Sequence, residues 1–308
     1  MTETAEHTPV HKPEEEQKGT SLARTLISLL LFIAVDYFIF KSWAAVALLV
    51  SVIFIHELGH FILMKWFGYR KVNMTFVPFV GAYVSGTATD LSKKKKLLVL
   101  LAGPVPGIII GCMLLFMARQ TAGETYQWAA LTFLLLNGVN LLPLLPLDGG
   151  QFFQTLFFSG SRYIQLVFLY LSLGLLSWLM IKFSAPWTLI FIALLLLLRI
   201  RALHSNILIQ RCLDEEGIDY ACSYDDLTDE EYDAIRRVVI RETPALRNKY
   251  NPDVQLQDEQ DVVAKTESVL MPVLRDDLGR SGKWIFFAVW ITAFVLPLLQ
   301  WLHYKGLV

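Results

Sequence analysis

Charge is scarce in this chain: only 18% of its 308 residues are Asp, Glu, Lys or Arg, against about 25% in soluble domains. Neither sign dominates, with 27 Lys and Arg against 28 Asp and Glu, so the basic footprint of a nucleic-acid binder is missing. Cysteine is rarer still. Cys112 lies in an apolar run and Cys212 and Cys222 in a polar segment, a set that cannot build a disulfide framework and is expected to stay reduced. Residues 1–21 lack the basic start and early apolar core of a secretory signal; they are acidic, with Glu14-Glu15-Glu16 at their centre. Apolar residues, in contrast, are abundant. They make up 55% of the chain, and the mean hydropathy of +0.48 excludes a disordered or fibrous protein and points to lipid as the principal solvent.

Apolar runs cover about residues 22–40, 43–64, 97–118, 126–147, 163–181, 183–198 and 284–302, and a span needs roughly 20 mostly apolar residues. Trp43, Trp66, Tyr126, Trp187, Trp284 and Trp301 sit near the run ends, where an interfacial aromatic belt falls. Lys and Arg set the orientation. The face reached after the second run carries Lys65, Arg70, Lys71, Lys93 to Lys96, Arg162, Arg199, Arg201 and Arg211, and the other only Lys41, Arg119, Lys182 and Lys305. The positive-inside rule makes the first face cytoplasmic. The expected fold is therefore an all-α polytopic membrane protein with about seven transmembrane helices, N-terminus inside and C-terminus outside.

Its parts are an acidic tail (1–21), a six-span domain (22–203), an acidic cytoplasmic insert (204–283) and a C-terminal transmembrane helix (284–308). The insert holds 18 acids against 10 bases. Within it Thr228-Asp229-Glu230-Glu231 reads as a capping box that opens a helix through about Arg241. Residues 72–89 are too polar to span and too apolar for a plain loop. Phe76 to Val84 is rich in strand formers with Gly81 at a turn position, which predicts a short β-hairpin, either dipping into the membrane or lying on it.

The chemistry concentrates in the second run. Between Trp43 and Met64 the only ionisable residues are His56, Glu57 and His60, in the order His56-Glu57-Leu58-Gly59-His60. Residues four apart share a helix face, so both imidazoles can reach one zinc ion, and Glu57 beside them is placed to take a proton from water there. With 6 His and 14 Glu in the chain, chance supplies about 0.005 such matches. Buried ionisable groups in a bilayer are costly and functional by default. A hydrolytic zinc site needs a third ligand, and Asp148 is the only acid from Tyr126 to Ser161. Pro143, Pro146 and Gly149-Gly150 would break the helix and let Asp148 fold back to the metal; a turn Asp at a helix end is the competing reading.

His56-Glu57-x-x-His60 together with Asn140-x-x-Pro143-x-x-Pro146-Leu147-Asp148-Gly149 resembles the site-2 protease family of intramembrane zinc metalloproteases, over about residues 43–200. The resemblance implies a protease core at about 43–161, one Zn²⁺ held by His56, His60 and Asp148, Glu57 as general base, and Asn140 lining the site. It also implies a membrane-dipping hairpin after the first motif helix, which suits 72–89 and makes Phe79, Val80, Gly81, Ala82 and Tyr83 candidates for gripping an unwound substrate strand. Ala102-Gly103-Pro104 resembles a further family element, but Gly107 stands where members often carry Asn.

The expected activity is hydrolysis of a peptide bond in or near the transmembrane segment of a single-span, membrane-tethered substrate, in a bacterial cytoplasmic membrane. The expected partners are that substrate and the lipid bilayer, with no nucleic acid. Two other functions fit the same residues: a catalytically silent relative that binds membrane proteins, and an ion or metal carrier using His56, Glu57, His60 and Asp36.

Overall fold

The computed structural model describes residues 11–13, 22–78, 81–88, 92–121, 123–158, 162–182, 187–256, 259–271 and 274–304. It is mostly helical, with one two-stranded antiparallel sheet. Its elements fall into two compact units. One takes in the described residues from 17 to 196 and from 274 onward, and the other takes in 11–13 and 197–271.

The first unit opens with helices α1 (Leu22–Phe40) and α2 (Trp43–Trp66), followed by strands β1 (Arg70–Val77) and β2 (Gly81–Thr87). Ser42 caps α2 by accepting from the Ala45 N–H. The strands pair antiparallel with Met74 opposite Val84 and Phe76 opposite Ala82. Met74 and Phe76 turn inward to pack with Phe32 of α1, which buries the hairpin's apolar face. Next come α3 (Lys93–Ala102), α4 (Pro104–Thr121) and α5 (Glu124–Asn140). The run expected as one helix over 97–118 is thus broken at Gly103, where Pro104 lacks the N–H that would continue the ladder.

Helix α5 stops at Asn140, and after a turn at Leu141–Leu147 the short α6 (Asp148–Phe157) begins. The turn is tied down on several sides. The Leu145 N–H donates to Ser172 Oγ at 3.0 Å, Gln151 Nε2 donates to the Pro146 carbonyl at 3.1 Å, and Trp290 Nε1 donates to the Leu141 carbonyl at 3.0 Å. Gly149 is needed where α6 folds back, because a Cβ there would overlap the Leu141 carbonyl. Helices α7 (Arg162–Lys182), α8 (Trp187–Glu216) and α12 (Arg280–Tyr304) complete the apolar set, α8 running on into the second unit. Among the described residues, four stretches are long and apolar enough to cross a membrane: Leu22–Phe40, Trp43–Trp66, Lys93–Thr121 and Arg280–Leu302.

The second unit adds α9 (Asp229–Glu242), α10 (Pro244–Arg247) and α11 (Gln260–Val269). Thr228 and Glu231 form the capping box at the start of α9. Its apolar face, Tyr232, Ile235, Val238 and Val239, packs with Leu213, Leu246 and Val262. Arg236 is fully buried in this core, paired through two nitrogens with the equally buried Glu259 at 2.7 and 2.6 Å. It also donates to the Pro252 and Val254 carbonyls at 2.7 and 2.9 Å. Burial pushes the Tyr232 hydroxyl up to about 12.

Candidate metal centre

Helix α2 brings His56 and His60 to one face, both buried. Nδ1 of His60 lies 2.8 Å from the Val99 carbonyl oxygen, and Nδ1 of His56 lies 2.9 Å from Asn137 Oδ1. The Asn137 amide is oriented by its own Nδ2, which donates to the Phe133 carbonyl at 2.8 Å. Both partners of the rings are therefore acceptors, so each Nδ1 carries a proton and, in the neutral ring, each Nε2 keeps its lone pair. The two Nε2 atoms are 3.2 Å apart. Asp148 Oδ2 lies 2.9 Å from the first and 3.2 Å from the second.

Three electron-pair donors this close repel one another unless a cation joins them. Among the described residues His56, His60 and Asp148 form the one such group able to hold a metal. The fit to zinc is close, since donors on a tetrahedral zinc with bonds of about 2.0–2.1 Å sit about 3.3 Å apart. Two imidazoles and one carboxylate also match the donor set of catalytic rather than structural zinc sites. The two N–H donations, to Asn137 and Val99, are the outer partners that fix ring orientation at such a centre.

The backbone around the donors is shaped to let them meet. A Cβ at Gly59 would overlap the Ala102 carbonyl, and one at Gly103 would overlap His60 Nε2, so the α3–α4 junction lies flat on α2. Gly107 serves a related end. Its missing side chain leaves the space that the Asn137 amide fills, since a Cβ there would overlap the amide.

Beside the donors lies a cavity of about 350 Å³, lined among others by Glu57, Asn140, Gln151, Tyr83 and Val84. Glu57 is buried, and its carboxylate accepts a hydrogen bond from the Val84 backbone N–H. Strand β2 therefore presents one edge to β1 and the other to the cavity. Gly81, Ala82 and Tyr83 line the same space, while Phe79 and Val80 fall outside the described residues. Asn140 lines the cavity, but the asparagine that touches His56 is Asn137, one turn earlier on α5. Sequence reasoning missed Asn137 and Gln151. The available signal for Asn137 was its carboxamide in the middle of an apolar run, where a polar group needs a partner.

Parts of the chain are similar to known proteins. The model of Peptidase family M50 matches residues 43–123. Stage IV sporulation protein FB of Bacillus subtilis is 31% identical over 115 residues, 37% of this chain and 40% of that protein. The Zinc metalloprotease MJ0392 of Methanocaldococcus jannaschii is 28% identical over 129 residues, 40% of this chain and 37% of that protein. The chain thus spans about two fifths of the length of these curated relatives. A solved Site-2 Protease from Methanocaldococcus jannaschii aligns at 24% identity with a TM-score of 0.42, covering 56% of this chain and 84% of that one. Residues 43–123, which carry His56 and His60, are thus similar to Peptidase family M50, and the His56–His60–Asp148 group is one that could hold a metal ion.

Proposed function

We propose that this protein is an intramembrane zinc metalloendopeptidase that cuts a peptide bond in or near the transmembrane segment of a single-span, membrane-tethered substrate. The observation that carries the reading is the convergence of the two Nε2 lone pairs and the Asp148 oxygen on one point, at the wall of a cavity that Glu57 shares. When bound there, a zinc ion supplies Lewis-acid activation of water and of the scissile carbonyl. His56, His60 and Asp148 would hold it. Glu57 takes the proton of the attacking water and returns it to the leaving amine, a role worth about 10²–10⁴ in rate. The Val84 N–H keeps the Glu57 carboxylate turned into the cavity. Asn140 lines the same cavity, and its carboxamide is assigned to stabilise the charge that gathers on the scissile carbonyl oxygen.

A substrate helix hides its carbonyls in internal hydrogen bonds and must be opened before it is cut. The cavity-facing edge of β2 offers Gly81 to Val84 as a template on which the unwound segment pairs by β-augmentation. The hairpin is assigned to the membrane, with the outer edge of β1 bonded to α1, where Thr25 Oγ1 donates to the Met74 carbonyl and Ser28 Oγ accepts from the Phe76 N–H.

The proposed topology has seven spans, N-terminus inside, with the division into tail, six-span domain, insert and C-terminal helix. Contacts inside each unit support it. His11 and Lys12 lie against Asp229, which fits a tail and an insert on one side of the membrane with an even number of crossings between them. Lys93 pairs with Asp276 at 3.0 Å, and Arg119 donates to the Gln300 carbonyl at 3.0 Å, so α3–α4 and α12 cross in the same direction. The lysine-rich start of α3 supports a cytoplasmic position for their shared first end.

The test compares Glu57→Gln with wild type on a co-expressed tethered substrate, with zinc measured in both. Retained zinc and lost cleavage are expected. Equal cleavage by both, or none by wild type, contradicts the reading.

A further inference from the structure

The second unit carries a built site that the protease chemistry does not use. The segment His11-Lys12-Pro13 lies along it in a fully bonded register. The His11 N–H donates to Gln255 Oε1 at 3.0 Å, and Gln255 Nε2 donates back to the His11 carbonyl at 2.6 Å. The Lys12 N–H donates to Asp229 Oδ1 at 2.8 Å, and the Tyr224 hydroxyl donates to the Pro13 carbonyl at 3.2 Å. The other oxygen of Asp229 faces His11 Nδ1 at 3.0 Å.

Between these backbone clamps the Lys12 ammonium enters a cage. Its Nζ donates to the carbonyl oxygens of Tyr224, Asp225 and Leu227 at 3.1, 3.1 and 2.7 Å, and sits 5.5 Å from the centre of the Tyr224 ring. The Tyr224 and Asp225 carbonyls belong to the 3₁₀ turn Tyr224–Asp226 and the third to its C-cap Leu227, whose N–H donates to the Tyr224 oxygen at 3.3 Å. An ammonium has three N–H donors, and the cage supplies an acceptor for each. A guanidinium is planar and forked, so its donors spread in one plane and do not radiate from a single nitrogen towards a tripod of oxygens. An acetylated lysine offers one N–H and no charge.

We propose that this cage is a recognition site for an unmodified lysine in an extended peptide, occupied in cis by Lys12 of this chain. The site ties the tail to the insert on one side of the membrane. It reads the lysine side chain through Tyr224, Asp225 and Leu227, and the flanking backbone through Gln255, Asp229 and Tyr224. A charge-changing modification of Lys12 releases the tail. The inference stands independently of the protease assignment.

The test uses the full-length protein in detergent, labelled with an amine-acylating reagent and read by mass spectrometry. An isotopically marked free peptide of residues 8–16 serves as internal standard. Charge-assisted hydrogen bonds of this kind predict that Lys12 in the protein reacts at least about tenfold more slowly than in the peptide. The variant Asp229→Asn/Gln255→Ala brings the two rates together. Equal rates in wild type overturn the proposal. A second arm replaces residues 11–13 with glycine in the full chain and titrates it with the fluorescent peptide. The unmodified peptide binds, and the Lys→Arg and acetyl-lysine peptides bind about tenfold more weakly or not at all. Equal binding by all of them, or binding by none, overturns the proposal.

Discussion

The Nδ1–H of His56 donates to Oδ1 of Asn137 across 2.9 Å, and the glycine at position 107 is what leaves room for that amide. The pair fixes which nitrogen of His56 faces Asp148. Asn137→Leu removes the acceptor at similar volume and leaves a buried N–H unpaired, so zinc affinity falls by about 10–100-fold. Asn137→Asp keeps an acceptor and retains zinc. Chelator competition on the purified variants measures both.

Gly103 touches the metal-facing nitrogens directly, since a Cβ there would overlap His60 Nε2 and Cε1. Gly103→Ala displaces a ring that cannot move without losing its bond to the Val99 carbonyl. The predicted outcome is a zinc affinity at least about tenfold lower, with helix content unchanged, read by the same competition and by circular dichroism.

The cavity-facing edge of β2 is tested by removing one donor from it. Ala82 is two residues from Val84, so its N–H shares the Val84 edge rather than the β1 edge. Ala82→Pro deletes that N–H and leaves the ladder to β1 intact. Cleavage of a tethered substrate is expected to fall about tenfold, the worth of one or two hydrogen bonds, with zinc retained. Unchanged cleavage would make the strand edge a bystander.

In the second unit, Arg236 and Glu259 satisfy each other in a core that excludes water. Arg236→Met strands the Glu259 carboxylate and destabilises this unit by about 3–5 kcal/mol. Adding Glu259→Leu recovers only part of that, because the Pro252 and Val254 carbonyls have still lost their donor. Hydrogen exchange across α9 and α11 of the full-length protein measures the difference.

Much of the metal centre was legible because its signals are local. The i, i+4 histidines need only a helix, and Pro143 with Gly149-Gly150 mark where the chain must turn before Asp148. The hairpin and the Thr228 capping box were readable for the same reason, as patterns a few residues long. The break at Gly103 was not, since hydropathy runs through it without pause and only contact with His60 explains it. Asn137 was hidden by the more conspicuous Asn140. Its role depends on Gly107, a residue that reads as an absence until two helices are brought together. The docking of Lys12 joins positions more than 200 residues apart, and no periodicity in either segment records it.

Two imidazoles from α2 and one carboxylate from the start of α6 are assigned to grip a single zinc ion. Metal analysis of purified wild type beside His56→Ala and Asp148→Ala tests it most directly. One zinc per chain is expected in wild type, with loss of nearly all of it in each variant. Wild type purified without zinc and unable to take it up, or an Asp148→Ala protein that keeps its full complement, would contradict it.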